Sequence, residues 1–167
     1  MDFISSDTNV WIDFNTINKL DLPFRLSYTY IMHHDAANDE LINPPNLCDD
    51  LIRLGLRSVD ITIEELYLAQ EYRNRHIHLS KYDCIALAIA KERDIPLMTG
   101  DALLRKVAEQ CGVHVVGTIG ILDKLYELKL IDSDEYLECL KSLELFNHST
   151  IRLPDVELRK RIEMLEK

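Results

Sequence analysis

Four acidic side chains are placed along the chain where they could hold a metal ion: Asp7, Glu40, Asp83 and Asp101. Asp7 and Asp101 each follow a short apolar run, and Asp83 opens a strongly apolar helix. Carboxylate oxygens suit hard cations such as Mg²⁺ and Mn²⁺. Acids that converge repel one another unless protons or a cation offset the charge. The four residues are therefore candidate metal ligands.

The elements that must position these acids alternate between strand-like and helix-like patterns. Short apolar or β-branched runs predict strands at residues 3–6, 28–32, 58–61, 95–99 and 113–116. Helices are predicted between them, at residues 10–14, 34–42, 47–54, 62–75, 83–90 and 102–110. This alternation predicts an α/β fold in which helices cover both faces of a parallel sheet, giving three α/β/α layers.

Such a fold would bring the acids together. In open parallel sheets, ligands bind beyond the carboxyl ends of the strands, where the chain passes into the helices. Asp7 and Asp101 directly follow strands, while Glu40 would be reached from the helix after the second strand. Asp83 lies in the first turn of the central helix. All four can face one cleft.

Each acid also has a purely structural explanation. Asp7 and Asp101 could cap the helices that follow them, which stabilises a helix by about 1 kcal/mol. Ser80 and Asp83 have the spacing of a capping box, and Glu40 could lie on an exposed helix surface. Capping does not explain why helix starts that carry acids should meet at one sheet edge. The expected convergence of the acids therefore favours a metal-binding site over capping alone.

Size and composition are typical of a single domain. The chain has 167 residues, 47% of them hydrophobic, which suffices for one proper core. No apolar run approaches the roughly 20 residues that span a bilayer. The N-terminus MDFISSDTNV lacks a basic segment before an apolar one, so it is not a secretory signal. We expect a cytoplasmic protein with no membrane association.

Cysteine and histidine patterns do not predict a zinc site. The four cysteines are scattered without a CxxC pair, and we expect them to be reduced thiols. His33-His34 and His76-x-His78 lack nearby cysteines or an HExxH motif. Ordinary structural roles are expected for both histidine pairs.

The charge balance bears on the choice of substrate. The chain has 29 acidic and 19 basic residues, a formal charge of −10, which argues against binding a polyanion. A nuclease that holds metal ions must nevertheless concentrate acids at its centre, and it can keep a local basic rim. Net charge therefore does not exclude a nuclease.

Three segments resemble the PIN-domain ribonucleases. They are SDTNVWID at residues 6–13, DEL at residues 39–41 and YDCIALAIAKERDIPLMTGD at residues 82–101. The segment GTIGILDKLYELKLI, which starts at Gly117, is similar to a bacterial and archaeal subgroup with a helical tail. The resemblance implies that residues 1–167 form one PIN-like domain, with 117–167 as its helical C-terminal portion. Near Glu40, the acids Asp35, Asp39 and Asp49 are alternatives for the same position.

The resemblance implies a Rossmann-like sheet of four to five parallel strands and metal-dependent endonucleolytic cleavage of RNA. It also implies Mg²⁺ or Mn²⁺ as the cofactor and the four acids as catalytic residues. Thr8, Asn9 and Thr99 could orient the carboxylates or metal-bound waters, although turn chemistry explains them equally well. Arg105, one helical turn after Asp101, could contact a phosphate or simply be solvated.

Similar short proteins are often toxins of toxin–antitoxin pairs, so the resemblance implies three partners: an RNA substrate, a small antitoxin with a basic segment and a possible second copy of the chain. Two alternatives within the family are a stand-alone RNA-processing nuclease and a catalytically inactive PIN-fold interaction protein. A third alternative is a phosphoaspartate or phosphatase-type protein with Asp7 as nucleophile. Asp7-Thr8-Asn9 lacks the second acid that this chemistry uses.

Overall fold

A computed structural model describes residues 2–167 of the chain. Its centre is a parallel sheet, as the alternating pattern predicts. The strands are β1 (Asp2–Ser6), β2 (Tyr28–His33), β3 (Arg57–Val59), β4 (Leu97–Met98) and β5 (Val115–Val116). Their order is β3-β2-β1-β4-β5, so β1 is central and the carboxyl ends of all five lie at one edge.

Helices surround this sheet. Within residues 2–167 they are α1 (Thr8–Thr16), α2 (His34–Glu40), α3 (Leu47–Leu54), α4 (Ile63–Arg75), α5 (Lys81–Arg93), α6 (Ala102–Gln110), α7 (Thr118–Glu127), α8 (Ser133–Phe146) and α9 (Asp155–Leu165). A short 3₁₀ helix at Leu22–Arg25 precedes β2. None of the helices in this range combines the length and apolar character that crossing a membrane requires.

The two faces of the sheet carry separate hydrophobic cores. Ile4 of β1 is fully buried in one core, while its neighbour Phe3 packs against the other. Successive strand side chains point to opposite faces, so the helices cover both. Helix α5 is apolar on all sides, and every residue from Cys84 to Ala90 is buried. This confirms the predicted three-layer α/β/α fold.

Element boundaries differ locally from the sequence-based prediction. The third strand is Arg57–Val59 rather than 58–61, because the chain then enters a capping box in which Thr62 and Glu65 start α4. The last two strands have only two residues each, because the chain turns into α6 and α7 soon after pairing. Helix α5 continues past Ala90 to Arg93.

The C-terminal helices pack into the same core as β1 and α1. Leu125, Leu140 and Leu158 are fully buried in that cluster together with Ile4. The tail helix α9 is held further by Arg161, whose Nη2 lies 2.7 Å from Oδ2 of Asp123 in α7. Residues 117–167 are thus packed onto the sheet.

Candidate metal centre

Asp7 lies at the carboxyl end of the central strand. Its backbone N–H donates to the carbonyl of Met98 at 2.9 Å, which joins β1 to β4 at this point. As the N-cap of α1, its Oδ1 accepts the N–H of Thr8 at 2.8 Å. Its Oδ2 accepts the hydroxyl of Thr99 at 2.9 Å. The carboxylate therefore caps α1 and also lies at the carboxyl edge of the sheet. A capping role and a metal-binding role for Asp7 are thus compatible.

The electrostatic environment of Asp7 is unfavourable to a bare negative charge. Burial raises its pKa to about 7, the negative charge of Asp83 adds to the increase and Glu40 contributes further, while hydrogen bonds from Thr8 and Thr99 oppose it. The side chain is 6% exposed. Burial and the neighbouring acids therefore disfavour the charged form of Asp7, and a proton or a nearby cation would relieve this.

Glu40, at the end of α2, is joined to the residue after Asp7. The hydroxyl of Thr8 donates to its Oε1 at 2.8 Å. Burial raises the pKa of Glu40, and the charges of Asp83 and Asp39 add to the increase. This geometry places Glu40 in the same group of interacting charges as Asp7.

The alternative acids near Glu40 have other surroundings. Asp35 and Asp39 are exposed, and Asp39 accepts a hydrogen bond from the hydroxyl of Tyr82. Asp49 lies in the first turn of α3. No side-chain hydrogen bond links any of these three acids to Thr8 or Thr99 among residues 2–167.

Asp83 occupies the third position of α5. Its Oδ2 accepts the N–H of Ser80 at 2.9 Å, and Ser80 Oγ accepts the N–H of Asp83 at 3.0 Å. This reciprocal pair is the capping box that the sequence spacing indicates. Burial raises the pKa of Asp83, and the charge of Asp101 adds to the increase. Asp83 is thus electrostatically linked both to Asp7 and to Asp101.

Asp101 begins α6 after the two-residue strand β4. Its Oδ1 accepts the N–H of Leu104 at 2.8 Å, as an N-cap should. Its own N–H donates to the hydroxyl oxygen of Thr99 at 3.1 Å. The loop before it is held by Asn9, whose Oδ1 accepts the N–H of Gly100 at 2.8 Å.

The three predicted auxiliary polar residues all lie within this network. Thr8 contacts Glu40, Thr99 contacts both Asp7 and Asp101, and Asn9 fixes the loop at residue 100. Arg105 differs, because it makes no hydrogen bond or ion pair with any of the four acids in residues 2–167. Its exposed side chain lies instead beside Gly117.

The four acids do not form a compact set of directly ligating oxygens. Across residues 2–167, the only three-residue group whose ligand atoms all lie within 4.8 Å of one another is His33-His34-Asp35. No three of the four acids meet that distance, so they could not all contact one ion as they stand. Their oxygen-only chemistry fits a hydrated Mg²⁺ or Mn²⁺, because Mg²⁺ keeps several waters and binds through few carboxylates. Burial and neighbouring acids raise the pKa values of Asp7, Glu40 and Asp83, and a bound cation would offset the charge repulsion among them.

Other polar residues near the site have no strong sequence signal. His33, Asp7, Glu40 and Tyr82 line one hollow of about 10 Å³, and Nδ1 of His33 is buried without a hydrogen-bond partner in the described chain. The only hint in the sequence is the histidine pair at the end of a strand. Because the hollow joins residues from four separate segments, only tertiary contact reveals it.

A second buried acid lies apart from the four. Asp13 of α1 is 6% exposed, and its Oδ2 accepts the hydroxyl of Thr118 at 2.7 Å. Burial raises its pKa to about 6, and the hydrogen bond from Thr118 opposes the increase. This pair joins α1 to the start of α7 and so supports the C-terminal helices.

Comparison with known proteins gives one match. A family model described as a PIN domain matches residues 3–167, which is almost the whole chain. No curated protein and no solved structure matches it significantly.

Proposed function

The chain belongs to the PIN-domain family, a membership that indicates a nuclease, and we propose that it is a metal-dependent endoribonuclease acting as the toxin of a toxin–antitoxin pair. The observation that carries the proposal is the electrostatic coupling of Asp7, Glu40 and Asp83 at the carboxyl edge of the sheet. Their pKa values are raised, first by burial and then by neighbouring acids. Such a group is a favourable place for a divalent cation.

Asp7, Asp83 and Asp101 would hold a hydrated ion, in part through its water molecules because their oxygens lie too far apart for all three to contact it as they stand, with Glu40 binding directly or through water. When bound, Mg²⁺ or Mn²⁺ would lower the pKa of a water molecule and stabilise charge on the leaving oxygen of an RNA phosphodiester. No side-chain nucleophile is then required.

The hydroxyl groups of the site orient the carboxylates. Thr99 holds Oδ2 of Asp7 and the backbone of Asp101, so it sets the separation of these two acids. Thr8 holds Oε1 of Glu40 and leaves its second oxygen free of this contact. The carboxylates of Asp7 and Glu40 are thereby oriented before a metal ion binds, which reduces the cost of ordering the site.

The toxin role is supported by the acidic character of the protein. With a formal charge of −10, the chain offers an attractive surface to a basic segment of a small antitoxin. An arginine or lysine of that segment placed among the carboxylates would compete with the metal ion. Gene neighbourhood tests this part: a short adjacent reading frame with a basic tail supports the toxin, and its absence favours a stand-alone RNA-processing nuclease.

A second candidate is a PIN-fold interaction protein that does not cleave RNA. The observation in its favour is that no three of the four acids have oxygens within 4.8 Å of one another. Calorimetric titration with Mn²⁺ separates the two candidates. A nuclease requires a site of millimolar affinity or better that is lost in Asp83→Asn, whereas a scaffold shows no such site.

Cleavage assays test the enzyme itself. The purified protein, freed of any partner and supplied with Mg²⁺ or Mn²⁺, should cleave RNA, whereas Asp7→Asn and Asp101→Asn variants prepared identically should not. The matched variants control for contaminating nuclease. Equal cleavage by wild type and both variants would contradict the proposal.

A further inference from the structure

A cleft of about 1020 Å³ opens next to the acidic site. Gly100 and Ala102, the two sequence neighbours of Asp101, line the cleft, although none of the four acids does. From there it passes the end of β5 and the start of α7 and reaches the chain between α8 and α9. The cleft is therefore continuous with the edge of the sheet that carries the acids.

The lining of this cleft differs in charge from the rest of the protein. It has four cationic side chains against three acidic ones, whereas the whole chain carries 29 acids and 19 Lys or Arg residues. The cations are Arg105, Lys124, Arg152 and Arg161, and the acids are Asp123, Glu127 and Glu157.

Two of the three acids are already paired with one arginine of the lining. Arg161 donates to both oxygens of Asp123, at 2.8 and 2.7 Å, and to Glu157 at 2.7 Å. By contrast, Arg105 and Arg152 are exposed and make no ion pair with any residue in 2–167. These two guanidinium groups remain available to an anion.

The absence of a side chain at residue 117 leaves room for the guanidinium group of Arg105. A Cβ atom on Gly117 would lie 2.8 Å from Nη2 of Arg105 and 3.4 Å from the carbonyl oxygen of Thr99. The guanidinium group therefore lies against the backbone at the end of β5, beside the loop that carries Asp101. This contact places a cation at the junction between the acidic site and the cleft.

The lining has no Phe, Tyr or Trp residue. Single-stranded nucleic acid is held by stacking on aromatic rings, by cation contacts to the phosphates, or by both. The rings that line this cleft are the imidazoles of His114 and His148. Its cations without an acidic partner among residues 2–167 are Arg105, Arg152 and Lys124, and the ammonium of Lys124 lies over the ring of Tyr28, so the two arginines are the freer phosphate contacts. Recognition in this cleft should therefore depend little on base sequence.

We infer that the cleft lined by Arg105 and Arg152 binds the phosphate backbone of a single-stranded RNA whose scissile phosphate lies at the acidic site. The inference rests on the proposed endoribonuclease function and deepens it. Arg105 contacts a phosphate next to the cleaved one, and Arg152, in the segment between α8 and α9, contacts another phosphate of the same strand.

The test measures binding of a fluorescent single-stranded RNA by anisotropy in Mg²⁺, in the Asp101→Asn background so that the RNA stays intact. Arg105→Gln, Arg152→Gln and the double variant are compared with Arg57→Gln. Arg57 is exposed, makes no ion pair in the described chain and lies on β3, the opposite edge strand. The control therefore removes the same charge far from the cleft, and thermal melting verifies that all variants fold.

Each cleft substitution should weaken RNA binding by about tenfold, as expected for loss of a charged hydrogen bond. It should also lower the slope of log affinity against log salt by about 0.7, the value for one phosphate contact on a single strand. Two RNAs of different sequence should show the same losses. Arg57→Gln should bind like the parent.

Binding and salt slopes equal to those of Arg57→Gln would overturn the inference. A change in mass by light scattering without a change in RNA binding would also overturn it, since the cleft would then be an interface between protein chains. The proposed function fails separately, if wild-type protein cleaves RNA no faster than Asp101→Asn while RNA binding still depends on Arg105 and Arg152.

Discussion

The hydroxyl of Thr99 donates a 2.9 Å hydrogen bond to Oδ2 of Asp7. The oxygen of this Thr99 hydroxyl also accepts a hydrogen bond from the backbone N–H of Asp101 at 3.1 Å. Thr99 is fully buried, at the end of β4, where its own N–H donates to the carbonyl of Val116. One hydroxyl thus sets the relative position of two proposed metal ligands on neighbouring strands.

Replacing Thr99 by Val should weaken Mn²⁺ binding by about 10–100-fold, because groups that orient metal ligands typically contribute this much. Thr99→Ser keeps the hydroxyl and should bind Mn²⁺ nearly as well as wild type. Isothermal titration calorimetry measures both. Equal affinity in the Val and Ser variants would show that this hydroxyl does not position the ligands.

Asp7→Asn should stabilise the metal-free protein at high pH. Burial raises the pKa of Asp7 from 3.8 to about 7, so between these values the folded chain binds more protons than the unfolded chain. The free energy of unfolding of wild type therefore falls as pH rises through this window. The Asn side chain of the variant does not ionise, so its free energy of unfolding does not fall in this way.

The advantage of Asp7→Asn should be near zero below about pH 4 and reach up to about 4 kcal/mol above pH 7. Urea unfolding in EDTA at several pH values measures it. The pH dependence is the informative part, since a difference that stayed constant with pH would contradict a raised pKa for Asp7.

Mn²⁺ affinity should increase with pH up to about 7 and then level off. Below that pH the buried carboxyl of Asp7 holds a proton that the metal must displace. The affinity should therefore fall about tenfold for each unit of pH lost. Calorimetry in two buffers of different ionisation enthalpy would detect the released proton, and a flat profile from about pH 5.5 to 8 would argue against this coupling.

Arg93→Met should destabilise the fold by about 3–5 kcal/mol, because it leaves a buried charge without its partner. Glu65 is 1% exposed and accepts Nε and Nη2 of Arg93 at 2.8 and 3.1 Å. Arg75→Met is the matched control, since the pair of Arg75 with Glu71 is exposed and should contribute under about 1 kcal/mol. Urea unfolding compares the two, and similar losses would contradict the difference in burial.

Leu158→Ala should cost about 2–5 kcal/mol, because Leu158 of α9 is fully buried in the core shared with β1. Val156 lies on the same helix with 75% of its surface exposed, and Val156→Ala should change stability little. Chemical unfolding and light scattering of both variants separate folding from association. If Leu158→Ala only dissociated a dimer, this intramolecular packing would be wrong.

Several elements could be predicted from the sequence because their signals are local. The apolar run from Cys84 to Ala90 indicates a fully buried helix, and α5 is buried there on every side. The spacing of Ser80 and Asp83 indicates a capping box, which both hydrogen bonds confirm. The bounds of β4 and β5 could not be read in this way, because strand length depends on the partner strand.

In the C-terminal tail, too, the sequence predicts the element but not the limits of its buried surface. The amphipathic pattern after Pro154 predicts a helix whose apolar residues dock either on the domain itself or on a second subunit, and in the structure Leu158 and Ile162 of α9 are buried in the domain's own core. The pattern also includes Val156, which is exposed. Periodicity identifies an apolar face but not its exact limits, which depend on the surface it meets.

The sequence by itself determined the α/β order of the elements and the placement of Asp7 directly after a strand and of Asp101 at the start of a helix. These features follow from propensity, periodicity and capping, which act over a few residues. Only the tertiary structure decided that the Thr99 hydroxyl joins the two acids and that the pKa of Asp7 rises to about 7. Burial and charge repulsion act through space between segments far apart in the chain, so no local pattern contains them.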